Sequence, residues 1–168
     1  MSRLDSMIRR LEAQRACLDW AMAAIAEQPG PVLELGLGNG RTYDHLRAGL
    51  PGREILVFER RLIAHPGCIP DEAHLILGDL EETLPPLVGG LAGRVALIHG
   101  DLGTAAPRYP ASLDRLIAET FPRLLAHRGV ALLDKPMAPG ALGQVRLPAG
   151  VARERYFIYR PRSRGGAK

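Results

Sequence analysis

The sequence predicts an α/β fold, a doubly wound and mostly parallel sheet with helices on both faces, and three observations carry that expectation. Short apolar runs at 32–35, 54–58, 74–77, 95–99 and 129–134 alternate with helical or loop segments, the pattern of parallel strands buried on both sides. The first run leads into glycines at 36, 38 and 40, as where a strand hands over to a helix in nucleotide-binding units. The longest later helical stretch lies between the fourth and fifth runs, where a right-handed crossover would lie.

Taken in order, Leu4, Met7, Ile8, Leu11, Leu18, Ala21, Met22 and Ile25 recur at helical spacing and predict an amphipathic helix from about residue 3 to 27. Ser2 and Asp5 fit a capping box at its start, and Pro29-Gly30-Pro31 ends it, so residues 1–28 form an N-terminal helical unit. Val32 to Leu35 is the first strand. Ile55 to Phe58 is the second, closed by Glu59, and His74 to Leu77 is the third. After the fourth run, Leu113, Leu116, Ile117, Phe121, Leu124 and Leu125 predict a helix over 111–127, with Pro122 expected to kink or divide it. Pro136 to Gly150, rich in Pro and Gly, reads either as a mobile cover over an acceptor pocket or as a tight connection into a terminal hairpin whose last strand is Arg155 to Arg160.

At 168 residues and 46% hydrophobic content, the chain fits one domain spanning 1–168. It has no apolar run long enough for a membrane span and no signal-peptide pattern, so a cytoplasmic location is expected. Cys17 and Cys68 lack the spacing of a zinc site or a redox pair, and no metal is expected. The net charge of +4 is uneven: residues 153–168 sum to +5, leaving the remainder near −1. That basic end fits a flexible solvated tail over 161–168, and contact with nucleic acid through it is the less favoured reading.

Chemistry concentrates at the strand ends. Alternating glycines let backbone N–H groups approach a ligand that side chains would hold off. The dinucleotide fingerprint would place its third glycine at 41, where this chain has Arg41, which turns the reading away from NAD. Glu59, 19 residues after Gly40, can accept hydrogen bonds from both ribose hydroxyls, or can be an ordinary solvated strand end.

With these residues the chain resembles the class I S-adenosylmethionine-dependent methyltransferases, and more closely the small bacterial S-adenosyl-L-methionine methyltransferases. Glu34, Gly36, Gly38 and Gly40 match the first motif, Glu59 the second, and Asp79 in Gly78-Asp79-Leu80 a third. The resemblance implies a Rossmann-like methyltransferase sheet ending in an antiparallel hairpin, with residues 143–147 as partner of the last strand. It implies S-adenosyl-L-methionine as cofactor, held by Glu34, Gly36, Gly38, Asn39, Gly40, Thr42, Glu59, Arg60, Asp79, Leu80 and His99.

His99 and Asp101, after the fourth strand, are the candidate catalytic pair: a His titrates near neutrality and a neighbouring carboxylate can hold one tautomer. In a second reading His99 touches the cofactor and Asp101 caps the next segment. The Asn/Asp-Pro-Pro-aromatic motif of amine-methylating relatives is replaced by His99-Gly100-Asp101-Leu102-Gly103. Asp134 and Lys135 read as a strand-end ion pair, and Trp20 as helix packing or a ligand wall. No G-x-S-x-G elbow, H-E-x-x-H or Walker lysine is present. The expected activity is methyl transfer to an unidentified small molecule by a chain that can self-associate. A non-catalytic S-adenosylmethionine-binding module and, behind it, an NAD-binding oxidoreductase are the alternatives.

Overall fold

The computed structural model describes residues 2–102 and 106–162. Seven strands form one sheet: β1 Val32–Leu35, β2 Ile55–Glu59, β3 Leu75–Leu77, β4 Val95–Gly100, β5 Leu125–Leu133, β6 Leu142–Val145 and β7 Phe157–Pro161. Their order is β3-β2-β1-β4-β5-β7-β6. The first five are parallel, and β7 lies antiparallel between β5 and β6. The chain winds outward from β1 to β3 and then crosses to β4 on the other side of β1. The switch in strand order therefore falls between β1 and β4, where open α/β sheets gather ligands.

Alternation along the strands sorts the core into two layers. On one face, Cys17, Leu18 and Ala21 of α1 (Arg3–Ala24) and Leu46 of α2 (Arg41–Gly49) pack against Val32, Val57, Leu97 and Leu132. On the other, α3 (Leu80–Thr83), α4 (Val88–Leu91) and α5 (Ala111–Leu124) cover Leu33, Leu35, Phe58, Ile98 and Leu133, with Ile117, Phe121 and Leu124 of α5 fully buried. Each such side chain taken out of water is worth about 1.5–3 kcal/mol. Burial also pushes the pKa of the Cys17 thiol up to about 11, which makes it a packing residue.

The capping box forms as the sequence requires: Ser2 Oγ accepts from the Asp5 N–H and Asp5 Oδ2 from the Ser2 N–H, both at 3.0 Å. The apolar stripe of α1 divides in two. Its C-terminal half is buried, whereas Leu4, Met7, Ile8 and Leu11 are exposed. The helix stops at Ala24, short of the expected 27.

A second boundary also differs. The last crossover helix ends at Leu124, two residues after Pro122, and 125–127 belong to β5. Proline has no N–H for the helical ladder, and the strand gains buried Leu125 and Ala126 instead. The β4–β5 register slips between Val95↔Leu125 and Leu97↔Val130, and Gly129 lies within the slipped stretch. A Cβ there would stand 2.8 Å from the Val95 carbonyl oxygen, so only glycine fits. The Pro/Gly-rich span over 136–150 contains β6, which pairs antiparallel with β7 beyond it. Most of the basic tail expected over 161–168 lies outside the described residues. Among the described residues no helix is long and apolar enough to cross a membrane.

Candidate active site

Hydrogen bonds continue past the strand ends and draw the tips into a row. Gly36 N–H donates to Phe58 O at 2.8 Å, Gly78 N–H to Glu59 O at 3.0 Å and Asp101 N–H to Leu35 O at 3.2 Å. Beside this row opens a cavity of about 1020 Å³. Gly36, Gly38, Glu59, Arg60, Asp79 and Leu80 line one part of it; Phe58, Ile63, Leu102, Pro110 and Leu113 supply apolar wall, and Asp101 a carboxylate.

The three glycines of the first motif do different work. Gly36 and Gly40 have left-handed backbones, φ +89° and +84°, and each lets another segment come close. A Cβ on Gly36 would stand 2.6 Å from Asp101 O, and one on Gly40 2.4 Å from the Cys68 Cβ. Gly38, with φ +52°, has nothing within 4 Å of the Cβ position. The first and third are thus fixed by packing, and the middle one borders open space on the cavity wall.

Glu59 leans over that middle glycine. Its Oε2 accepts from the Gly38 N–H and its Oε1 from the Arg61 N–H, both at 2.9 Å. A carboxylate has about four acceptor positions, so each oxygen keeps one for a ligand hydroxyl. Asp79 precedes α3, with its side chain 58% exposed and Oδ1 3.6 Å from Arg60 NH1, a surface pair of little energetic weight.

Behind the tips, on the α1 face, lies a second polar group that is closed to water. Parallel register sets Glu34 opposite His99. Both are fully buried, and His99 Nδ1 meets Glu34 Oε2 at 2.6 Å while Thr42 Oγ1 donates to Glu34 Oε1. Burial alone would lower the imidazole pKa, but the charge and hydrogen bond of Glu34, with Asp101 and Asp134 beyond, outweigh it and hold the value above the ordinary 6.5. The His99 ring stacks on Tyr156 at 6.2 Å between centroids, with Nε2 3.5 Å from the Tyr156 hydroxyl.

The structure therefore corrects the sequence pairing of His99 with Asp101. The carboxylate that holds the imidazole is Glu34, set opposite His99 by the β1–β4 register. Asp101 is held from α1, by Arg10 and Gln14. At the β5 tip, Asp134 and Lys135 converge on Tyr109: the tyrosine hydroxyl donates to Asp134 Oδ1 at 2.6 Å, and Lys135 Nζ lies 5.3 Å from its ring centre. Burial raises the Asp134 pKa, the Tyr109 hydrogen bond opposes the rise, and the charge of Asp101 adds to it. Trp20 is half-buried and packs against the α1-face core, with the Arg160 guanidinium 5.3 Å over its ring.

Residues 1–161 match the family model described as S-adenosyl-L-methionine methyltransferase. The chain belongs to that family. A solved S-adenosyl-L-methionine methyl transferase from Silicibacter pomeroyi DSS-3 is 45% identical, with 96% of this chain and 99% of that one covered at a TM-score of 0.88. The fold is shared more widely. An SAH-bound methyltransferase of Podospora anserina is 18% identical (85% and 76% covered, TM-score 0.55), and human methyltransferase-like protein 13 in complex with SAH is 15% identical (92% and 83%, TM-score 0.59). No curated protein matches the chain.

For an S-adenosyl-L-methionine methyltransferase, the cavity residues fit the cofactor in kind. There is open space at Gly38, an anchored carboxylate with spare acceptor positions at Glu59, an exposed carboxylate at Asp79 and an apolar wall between. Of the residues singled out in the sequence, Gly36, Gly38, Glu59, Arg60, Asp79, Leu80 and Asp101 line the cavity. Glu34, Asn39, Gly40, Thr42 and His99 are not among its lining residues: Glu34, Thr42 and His99 form the buried group, and Gly40 supports the loop from behind. Sequence reasoning missed Arg10, Gln14, Tyr109 and Tyr156. All four are remote in the chain from the residues they bond, and no spacing rule joins positions 10 and 101.

Proposed function

We propose that this methyltransferase binds S-adenosyl-L-methionine along the row of strand tips and passes the methyl to a small molecule at the Asp101 end of the cavity. The observation that carries the reading is Glu59, fixed at 2.9 Å by the Gly38 N–H on the wall of the cavity. In this reading Glu59 accepts from the ribose hydroxyls, Asp79 from the adenine amine, and the Gly36–Gly38 backbone faces the amino-acid end. Leu80, next to Asp79, excludes water from the base.

The cofactor brings a methyl already activated on a sulfonium. The chain then has to align an acceptor with it and keep water away, which is catalysis by orientation. Asp101 orients the acceptor, and His99, sealed between Glu34 and Tyr156, acts as a support. A small acceptor suits a concave site bordered by Leu102, Pro110 and Leu113. A cytoplasmic setting belongs to the same reading.

Thermal unfolding with S-adenosyl-L-methionine, its demethylated product SAH or NAD tests the cofactor assignment. Ligand at about 100 times its dissociation constant adds about 2.7 kcal/mol, a rise of roughly 5–10 °C for a chain of this size. A rise with NAD alone overturns the assignment. To test the acceptor class, methyl-labelled cofactor is incubated with the protein and a whole-cell extract, which is then ultrafiltered. Label in the filtrate supports a small molecule; label confined to nucleic acid or protein contradicts it.

A further inference from the structure

Asp101 is where the cavity meets the N-terminal helix. Its side chain is 20% exposed. Arg10 NH2 donates to Oδ1 at 2.7 Å and to Oδ2 at 2.6 Å, and Gln14 Nε2 donates to Oδ2 at 3.1 Å. With about four acceptor positions on a carboxylate, these bonds fill Oδ2 and leave one position on Oδ1.

Gln14 is itself fixed. It is buried, its Nε2 also donates to the Tyr156 hydroxyl at 2.6 Å, and Tyr156 stacks on His99, which is bonded to Glu34 in the sheet. The orientation of Asp101 is thus set by a continuous run of contacts from β1 through β4 to α1.

Charge decides what such a carboxylate selects. Arg10 neutralises Asp101, so the carboxylate offers a cationic acceptor little net charge to bind. An anion would meet four carboxylates, Glu59, Asp79, Glu81 and Glu82, against two guanidiniums, Arg60 and Arg61, on the rest of the cavity lining. A neutral hydrogen-bond donor meets neither obstacle. Leu102, Pro110 and Leu113 on the same cavity wall suit an apolar body beside that donor.

We propose that Arg10 and Gln14 are positioning residues that hold Asp101 to accept one hydrogen bond from the methyl acceptor, and that the acceptor is therefore a neutral molecule with a hydroxyl or aromatic amine on an apolar frame. This rests on the cavity's being the cofactor and acceptor site.

The test uses the full chain loaded with SAH, whose binding is first measured by calorimetry, and three probes of one shape: benzyl alcohol, benzoate and benzylammonium, read by saturation-transfer NMR. Wild type is expected to favour the alcohol. Arg10→Met frees the Asp101 charge, so the preference is expected to swing to benzylammonium by about five-fold or more, with SAH affinity kept within about two-fold. Gln14→Leu is expected to weaken the alcohol without that swing. A purely structural role would lower stability and leave the preference unchanged. Wild-type preference for either charged probe, no binding of any probe, or an unswung preference in Arg10→Met overturns the inference while leaving the cofactor assignment standing. Failure of wild type to bind SAH overturns both.

Discussion

Two glutamates end adjacent strands of this sheet and live under opposite conditions. Leu35 pairs with Phe58, so Glu59 stands level with Gly36, two residues further along the sheet than Glu34. Two residues of strand amount to roughly 6–7 Å. That distance separates a fully buried carboxylate, bonded to Thr42 and His99, from one on the cavity wall that is anchored by two backbone N–H groups and still has acceptor positions to offer. Depth along the strand separates a sealed carboxylate from one open to a ligand. The inner carboxylate should govern stability and the outer one affinity.

The widest separation between the two regions is expected from His99→Leu, which leaves Glu34 charged and unpaired in the core. Breaking a buried pair in this way costs about 3–5 kcal/mol, a fall in Tm on the order of 10 °C by thermal unfolding. Adding Glu34→Gln removes the stranded charge and should restore most of that loss. If His99→Leu alone melts like wild type, the inner region is no support.

Glu59→Ala is the mirror experiment. Two hydrogen bonds to a charged group should cost about 10–100-fold in SAH affinity by calorimetry. Because Glu59 is at the edge of the core, apo stability should move by only about 0.5 kcal/mol. A variant that instead unfolds with affinity intact would exchange the assigned roles.

The glycines sharpen the same contrast within one loop. Gly40→Ala forces a Cβ into Cys68 and should destabilise by about 1–3 kcal/mol. Gly38→Ala meets no protein atom, so its main effect should be a loss of SAH affinity, with about 1 kcal/mol of backbone strain. Comparable Tm values for the two variants would contradict the division of labour.

The smallest effect is in pH. His99 has a folded-state pKa raised above 6.5. Its contribution to stability is therefore complete below about 6.5 and is lost as pH rises through the folded value. Unfolding free energies of wild type should fall relative to those of the Glu34→Gln, His99→Leu double variant as pH is taken upward. Parallel profiles would show an imidazole pKa unmoved by folding, and a relative rise of wild type through about pH 6.5 would show the imidazole held neutral.

Much of the outer region was legible in the sequence because its signals are local. A strand, spaced glycines and an acid at the next strand end are all short-range patterns, and the sheet around them follows from apolar runs of strand length. The inner region was not, since it is made by register. Glu34 meets His99 because β1 and β4 are neighbours in the sheet, and Arg10 reaches Asp101 because α1 lies across their ends. Sequence adjacency even misled, pairing His99 with Asp101, whereas the β1–β4 register gives His99 to Glu34 and α1 takes Asp101. The end of α5 was misjudged for a related reason: apolar 124–126 fits both a helix and a strand, and a buried place in the sheet decided it.

The proposed cofactor site depends on the Glu59 carboxylate gripping the ribose. The direct measurement is a calorimetric cycle comparing SAH with its 2′-deoxy analogue on wild type and on Glu59→Ala. Removing the hydroxyl should weaken binding to wild type by about ten-fold and leave binding to Glu59→Ala nearly unchanged, since the partner is already gone. An equal loss on both proteins would mean that the ribose is held elsewhere, and would contradict the site described above.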